Sequence, residues 1–198
     1  VAWLNYRQYL ASLVGMLDSR VIDFDDEADV LMDSRFDSQL RESLANSSDV
    51  EAGFLADLII GMHRPDWAPE FRAMLDKPDE ILQRAGVRYL AEFGDAADRE
   101  RMVTVGLANS PALRMEVVNS LGAHCSGREF RVLEPFLDDP EPEVRCACAA
   151  ALLNSGELSL NVRAGNVFYE FLHSENAEDR RNAVHCLSMI RHLDTGQI

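Results

Sequence analysis

Basic residues are scarce in this chain: 19 lysines and arginines stand against 34 aspartates and glutamates in 198 residues, a net charge of −15. A field of that sign repels phosphate backbones, so non-specific DNA or RNA binding is excluded as a main role and no nucleic-acid partner is expected. Long hydrophobic runs are missing too. The most apolar stretch, residues 53–62, is broken by Asp57 and falls well short of the roughly 20 residues a membrane span needs. No signal peptide precedes it, and direct membrane insertion is not expected. The chain opens on Val1 rather than methionine, so it is expected to be a piece of a longer protein, whose own membrane attachment stays open.

Cysteine is sparse and unpatterned. Cys125, Cys146, Cys148 and Cys186 form no C-x-x-C and no disulfide framework, which points to a reducing, cytoplasmic setting. In that setting the sequon Asn46-Ser47-Ser48 is irrelevant. On a helix, Cys146 and Cys148 point roughly 200° apart. Cys148 is expected to be buried and inert, with Cys146 on the accessible side.

Catalytic and metal signatures are also lacking. The chain has no glycine-rich phosphate loop, no Ser-His-Asp ordering and no nucleotide fingerprint. The acidic run at 23–29 resembles the start of a calcium loop, but Ala28 and Ser34 stand where that loop needs Gly and Glu. It reads as a solvated linker. His63, His124, His173, His185 and His192 complete no zinc spacing, and there is no His-Glu dipeptide. No enzyme activity, metal or cofactor is expected.

What the sequence does contain is a repeat. The pattern Val144-Arg145-x-x-Cys148-x-x-Ala151-Leu152 recurs at Leu113–Leu121 and Leu82–Leu90, and more loosely at 50–58 and 179–187. The closing leucines at 58, 90, 121, 152 and 187 step by 32, 31, 31 and 35. A second ladder, Leu44, Leu75, Leu107, Leu137 and Leu172, closes an earlier apolar segment in each unit; residues 132–137 read as one such helix end. Between the ladders lie Lys77-Pro78-Asp79, Asn109-Ser110-Pro111, Asp138-Asp139-Pro140 and Ser174-Glu175-Asn176, which suit a helix end followed by an N-cap and first turn. Strand signals are nearly absent, with residues 20–24 the one short candidate.

A single helix pair of this length cannot bury its apolar face, so the pairs must stack. The predicted fold is all-α: a right-handed superhelix of about five helix pairs, with an N-terminal capping helix at 1–17 carrying Trp3, Tyr6, Leu10, Leu13, Val14 and Leu17. The capping helix and acidic spacer occupy 1–34 and the array 35–198, with repeats near 35–65, 66–97, 98–127, 128–158 and 159–198.

The Asp-Pro turn, the Val-Arg pair and the Ala-rich helix ending in Leu resemble HEAT-like repeats, in the short-period form found in phycobilin lyases and many bacterial proteins. The match is carried best by Asp138-Asp139-Pro140 and Val144–Leu152 and extends over about 36–190. Tyr6-Arg7-x-Tyr9-Leu10, the acidic spacer and the degenerate repeats together resemble the cytosolic extension of bacterial carriers related to ATP/ADP translocases.

With Val144 and its equivalents as position one, positions one, five, eight and nine face the core, and three, seven and ten project from the far side of each second helix. The resulting strip holds Ala52, Ala56 and Ile59; Arg84, Arg88 and Ala91; Met115, Asn119 and Gly122; Cys146, Ala150 and Leu153; and Arg181, His185 and Ser188. It contains no carboxylate, although the chain is strongly acidic. Arg84, Arg88, Met115, Asn119, Cys146, Ala150, Leu153, Arg181 and His185 are therefore the candidate binding residues, suited to an acidic-hydrophobic peptide of another protein. The competing reading is close packing between second helices, with the arginines paired to Glu92, Glu116 or other acids. The expected function is a non-catalytic protein-interaction scaffold. The resemblances imply two alternatives: a regulatory extension of a membrane carrier, or a lyase-like protein binding a tetrapyrrole in the groove.

Overall fold

Local capping chemistry accounts for where the helices begin. The computed structural model describes residues 37–187, apart from 39 and 47, together with residue 190. The capping helix, the strand candidate, the acidic run, Ser188 and His192 lie outside the described residues. The chain divides into two compact units, Val1–Ser47 and Ser48–Ile198. In the first, residues 40–46 are helical, and Asn46 donates back to the Glu42 carbonyl.

The second unit runs α1 (Asp49–Gly61), a 3-10 turn (Pro65–Trp67), α2 (Ala68–Leu75), α3 (Glu80–Phe93), α4 (Ala96–Leu107) and α5 (Pro111–His124). It continues with a 3-10 segment (Gly127–Asp138), α6 (Pro142–Leu152), α7 (Leu158–Leu172) and α8 (Ala177–Leu187). All described secondary structure is helical. Asp79 opens α3 by accepting from the amides of Ile81 and Leu82 at 2.9 and 3.1 Å. Asp95 and Asp98 cap each other reciprocally at the start of α4. Ser110 accepts from the Leu113 amide, and Pro111, which has no N–H to donate, opens α5 at a position where none is needed.

The Val-Arg half of the repeat also has a structural use. In four of the five copies the second-position side chain folds back onto carbonyls at the end of the preceding element; in the first, Glu51 instead accepts from Ser48 N and Oγ. Arg114 donates to Asn109 O at 2.7 Å, Arg145 to Asp139 O and Pro140 O at 2.6 and 3.1 Å, and Arg180 to Ser174 O and Glu175 O at 2.5 and 2.9 Å. Gln83 makes the weaker equivalent contact to Leu75 O at 3.5 Å. A guanidinium placed there satisfies orphan carbonyls and holds the turn closed.

The elements pack in two rows. α2 lies on α3, α4 on α5, the 3-10 segment on α6, and α7 on α8. The second helices also pack in series, α1 on α3, α3 on α5, α5 on α6 and α6 on α8. Close approach depends on small residues. A Cβ on Gly86 would stand 2.9 Å from Phe71 O and 3.0 Å from Leu75 Cδ2, and one on Gly122 would stand 3.0 Å from Ala151 Cβ. Around the first contact, the rings of Phe71 and Tyr89 stack at 4.0 Å, and the buried Tyr89 hydroxyl accepts from Trp67 N and donates to Arg64 O.

Two expectations are corrected. Residues 132–137 do not end an α-helix but belong to a 3-10 segment of 12 residues. Pro135 has no amide to donate and crowds an α-helical turn, and 3-10 winding puts Phe130, Leu133 and Phe136 in one buried line at a spacing of three. The core register also fails in the first copy: Val50, Phe54 and Asp57 are exposed, while Ala52, Ala56 and Ile59 are buried. α1 packs against α3, and the face it turns there carries the small residues. The register holds in the next three copies, where Leu82, Gly86, Tyr89 and Leu90, then Leu113, Val117 and Leu121, then Val144, Cys148, Ala151 and Leu152 are buried.

Candidate functional site

The predicted inner strip divides into three parts. Arg84 and Arg88 are exposed on α3, but each already holds a carboxylate. Arg84 bonds Glu116 on α5 at 2.8 and 3.0 Å, and Arg88 bonds Asp57 on α1 at 2.6 Å. The strip's positive charge is thus largely neutralised by acids on the neighbouring helices. Ala91 is buried.

At α6 the strip is closed. Cys146 and Ala150 are both 0% exposed, which corrects the expectation that Cys146 is accessible. Small side chains at 146, 147 and 150 allow α5 and α8 to close over α6 from either side. Leu153 is half-buried where α6 ends.

Beyond α6 the strip opens again. Met115, Asn119, Glu143, Ala147, Asn182, His185 and Cys186 line a cleft of about 270 Å³ shared by α5, α6 and α8. Three candidates, Met115, Asn119 and His185, meet there. Arg181 is exposed on α8, one turn before His185, and has no ion pair among the described residues. Glu143, Ala147, Asn182 and Cys186 were missed, and Glu143 brings a carboxylate to a surface expected to have none. The signal was available: a helix face centred on positions three and seven also includes the neighbouring positions zero and four. Glu143 is position zero, and Glu116, Ala147 and Asn182 are position four.

No family model matches the chain, and no curated protein matches it.

The cleft's chemistry is mixed. Met115 and Ala147 supply apolar wall. The carboxamides of Asn119 and Asn182 and the carboxylate of Glu143 make no hydrogen bond or ion pair among the described residues. The thiols nearby are displaced from their ordinary values in different directions, with Cys186 lowered by hydrogen bonding with Cys146. Burial pushes Cys148 well up, and its Sγ donates to Leu133 O at 3.2 Å, on the side facing the 3-10 segment. Burial likewise raises Cys125, to about 11. Cys146 is raised by hydrogen bonding with Cys186 and by burial. Among the described residues no group of three or more His, Cys, Asp or Glu is placed to hold a metal ion. No helix among them is long and apolar enough to cross a membrane.

A second hollow of about 390 Å³, lined by Ala96, Arg99, Glu100, Arg128, Glu129, Arg131 and Val132, is rich in arginine. Arg99 pairs there with Glu129 at 3.0 Å, and Arg131 pairs with Glu157. Its charges are largely committed to internal pairs, which makes the α5–α6–α8 cleft the stronger candidate.

Proposed function

We propose that this chain is a non-catalytic protein-interaction module of the HEAT-like α-solenoid type, and that it holds an extended segment of another protein in the cleft between α5, α6 and α8. The observation that carries the reading is the pair of uncommitted carboxamides, Asn119 on α5 and Asn182 on α8, lining one partly apolar cleft. A carboxamide offers a donor and an acceptor together, which matches the peptide group of an extended chain. Met115 and Ala147 provide the surface against which an apolar side chain sits. The paired state of Arg84 and Arg88 shifts recognition away from net positive charge and toward backbone and apolar contact. Serial packing of second helices supports the superhelical arrangement, since each element then leans on its neighbours along the array.

Selection from a peptide-display library on the purified chain tests the reading, with Asn119→Trp as the blocked control. Asn119 is exposed, so the indole can cover the cleft mouth without entering the core. Enriched peptides sharing a motif should bind the parent chain and lose about tenfold or more in the variant, equivalent to about 1.4 kcal/mol. Absence of any enriched motif, or equal binding by both proteins, rejects the cleft as a docking site.

A further inference from the structure

We propose that α7 carries a self-association face, and that two copies of this chain pair antiparallel along it with the Tyr169 ring of each entering the gap at Gly165 of the other. Four of the nine large apolar side chains exposed among the described residues fall in one line on α7. Leu158, Val162 and Tyr169 are 79, 55 and 62% exposed, and Leu172 continues the line. With Gly165 included the steps along it are four, three, four and three, the alternation of a helix–helix seam rather than of scattered surface residues. The helix already buries a different face, through Leu160, Ala164, Phe168 and Phe171. The line is therefore a second apolar surface, which the described fold leaves in solvent.

Gly165 decides the occupant. It sits mid-helix, where glycine is the poorest helix former after proline, and a Cβ there would meet nothing within 4 Å, so no contact within the described residues requires it. The gap it leaves lies one turn from Tyr169, whose ring stacks on His173 at 3.9 Å while that imidazole bonds the Tyr169 carbonyl at 2.9 Å. The largest side chain of the line and the missing one thus share a seam. About a two-fold axis near Val167, an antiparallel second copy sets each Tyr169 opposite a Gly165 and each Val162 opposite a Leu172. One surface then supplies both knob and hole, as an isologous pair requires. Charge points the same way. The only charged side chains of α7 are Arg163 and Glu170, and both lie off the line. Arg163 is turned to Glu134 and Asp138 on the 3-10 segment. Two chains of net charge −15 therefore meet where neither brings a carboxylate. A helix of 15 residues is about 22 Å long, so the contact is small for a specific interface and pairing in the micromolar range is expected. The pairing uses α7 alone and does not depend on what the cleft binds.

Sedimentation equilibrium of the full chain, run from micromolar to submillimolar concentration, tests the pairing. The parent chain should be a monomer–dimer mixture, and added salt should tighten it by screening the repulsion between two acidic copies. Gly165→Tyr sets ring against ring and Tyr169→Gly sets gap against gap, so each should weaken the dimer about tenfold or more. Combining Gly165→Tyr with Tyr169→Gly in one chain exchanges knob and hole, and should bring the dimer back to near the parent affinity. Thermal melts at low concentration show that the variants fold: Gly165→Tyr should match or exceed the parent Tm, because a Cβ there meets open space and the new residue replaces a poor helix former. A parent chain that stays monomeric at every concentration overturns the proposal, whatever other chain or segment the face then takes. So does an unchanged dimer in both single variants, or a double variant that pairs no better than the singles.

Discussion

Replacing Asp139 by alanine tests how the repeat turns are held. The Asp139 side chain is 0% exposed, and its Oδ1 accepts from the Glu141 amide at 2.9 Å. Its Oδ2 stands 2.7 Å from Nε of Arg114, a side chain only 10% exposed on the preceding second helix. The Arg114 N–H is not aimed along that contact, so the pair is ionic rather than a directed hydrogen bond. Removing one partner of a buried pair costs about 3–5 kcal/mol, because the other charge stays buried without compensation. Loss of the Glu141 acceptor adds about 1 kcal/mol. Arg114 keeps its bond to Asn109 O, which places the pair loss at the low end and the total near 4 kcal/mol. For a unit of this size, about 2–4 °C per kcal/mol gives a fall in Tm of roughly 8–16 °C. Urea melts followed by circular dichroism at 222 nm measure the effect. A cycle with Arg114→Met should show coupling of about 2 kcal/mol, the double variant losing less than the sum of the singles. A cost below about 1 kcal/mol for Asp139→Ala, or a cycle without coupling, refutes the turn-holding role.

Three further outcomes are expected. Tyr89→Phe leaves the Trp67 amide and the Arg64 carbonyl without the hydroxyl between them, and should cost about 1–3 kcal/mol by urea melt. Gly86→Ala gains about 1 kcal/mol of helix propensity but drives its methyl into the Phe71 carbonyl, so a net loss of about 1–2 kcal/mol should appear as a lowered Tm. Arg72 bonds Asp98 at 2.7 Å through both oxygens and holds that carboxyl below its ordinary 3.8. A depressed folded-state value stabilises above the unfolded value and stops doing so as pH falls through the folded one. The stability gap between the parent chain and Asp98→Asn should therefore be full above about pH 4.5, shrink below 3.8 and close at lower pH; a gap independent of pH contradicts the pairing.

Much of the fold was legible because its signals are local. Asp79, Ser110 and the Asp139-Pro140 turn act within a few residues of themselves, so they mark helix starts whatever surrounds them. The spacing of Leu82, Gly86, Tyr89 and Leu90, and of its two following copies, names the buried face because α-helical geometry is the same in every copy. Where a local rule met a neighbour, it failed. Pro135 turned a predicted helix end into a 3-10 segment, and α1 buried the face it turns to α3 rather than the one its signature named.

Sequence by itself determined the helical character of the described residues, their helix starts and the core face of the middle copies. Tertiary structure alone decided what lies on the other face. Gly122 against Ala151 and the small side chains at 146, 147 and 150 let the second helices approach closely, and that approach sets how far each is rotated about its axis. Rotation hid Cys146 and Ala150, gave Arg84 and Arg88 to Glu116 and Asp57, and brought Glu143, Asn182 and Cys186 round to the cleft. A repeat register fixes positions along one helix; the angle between two helices depends on the side chains packed between them, and these differ from copy to copy.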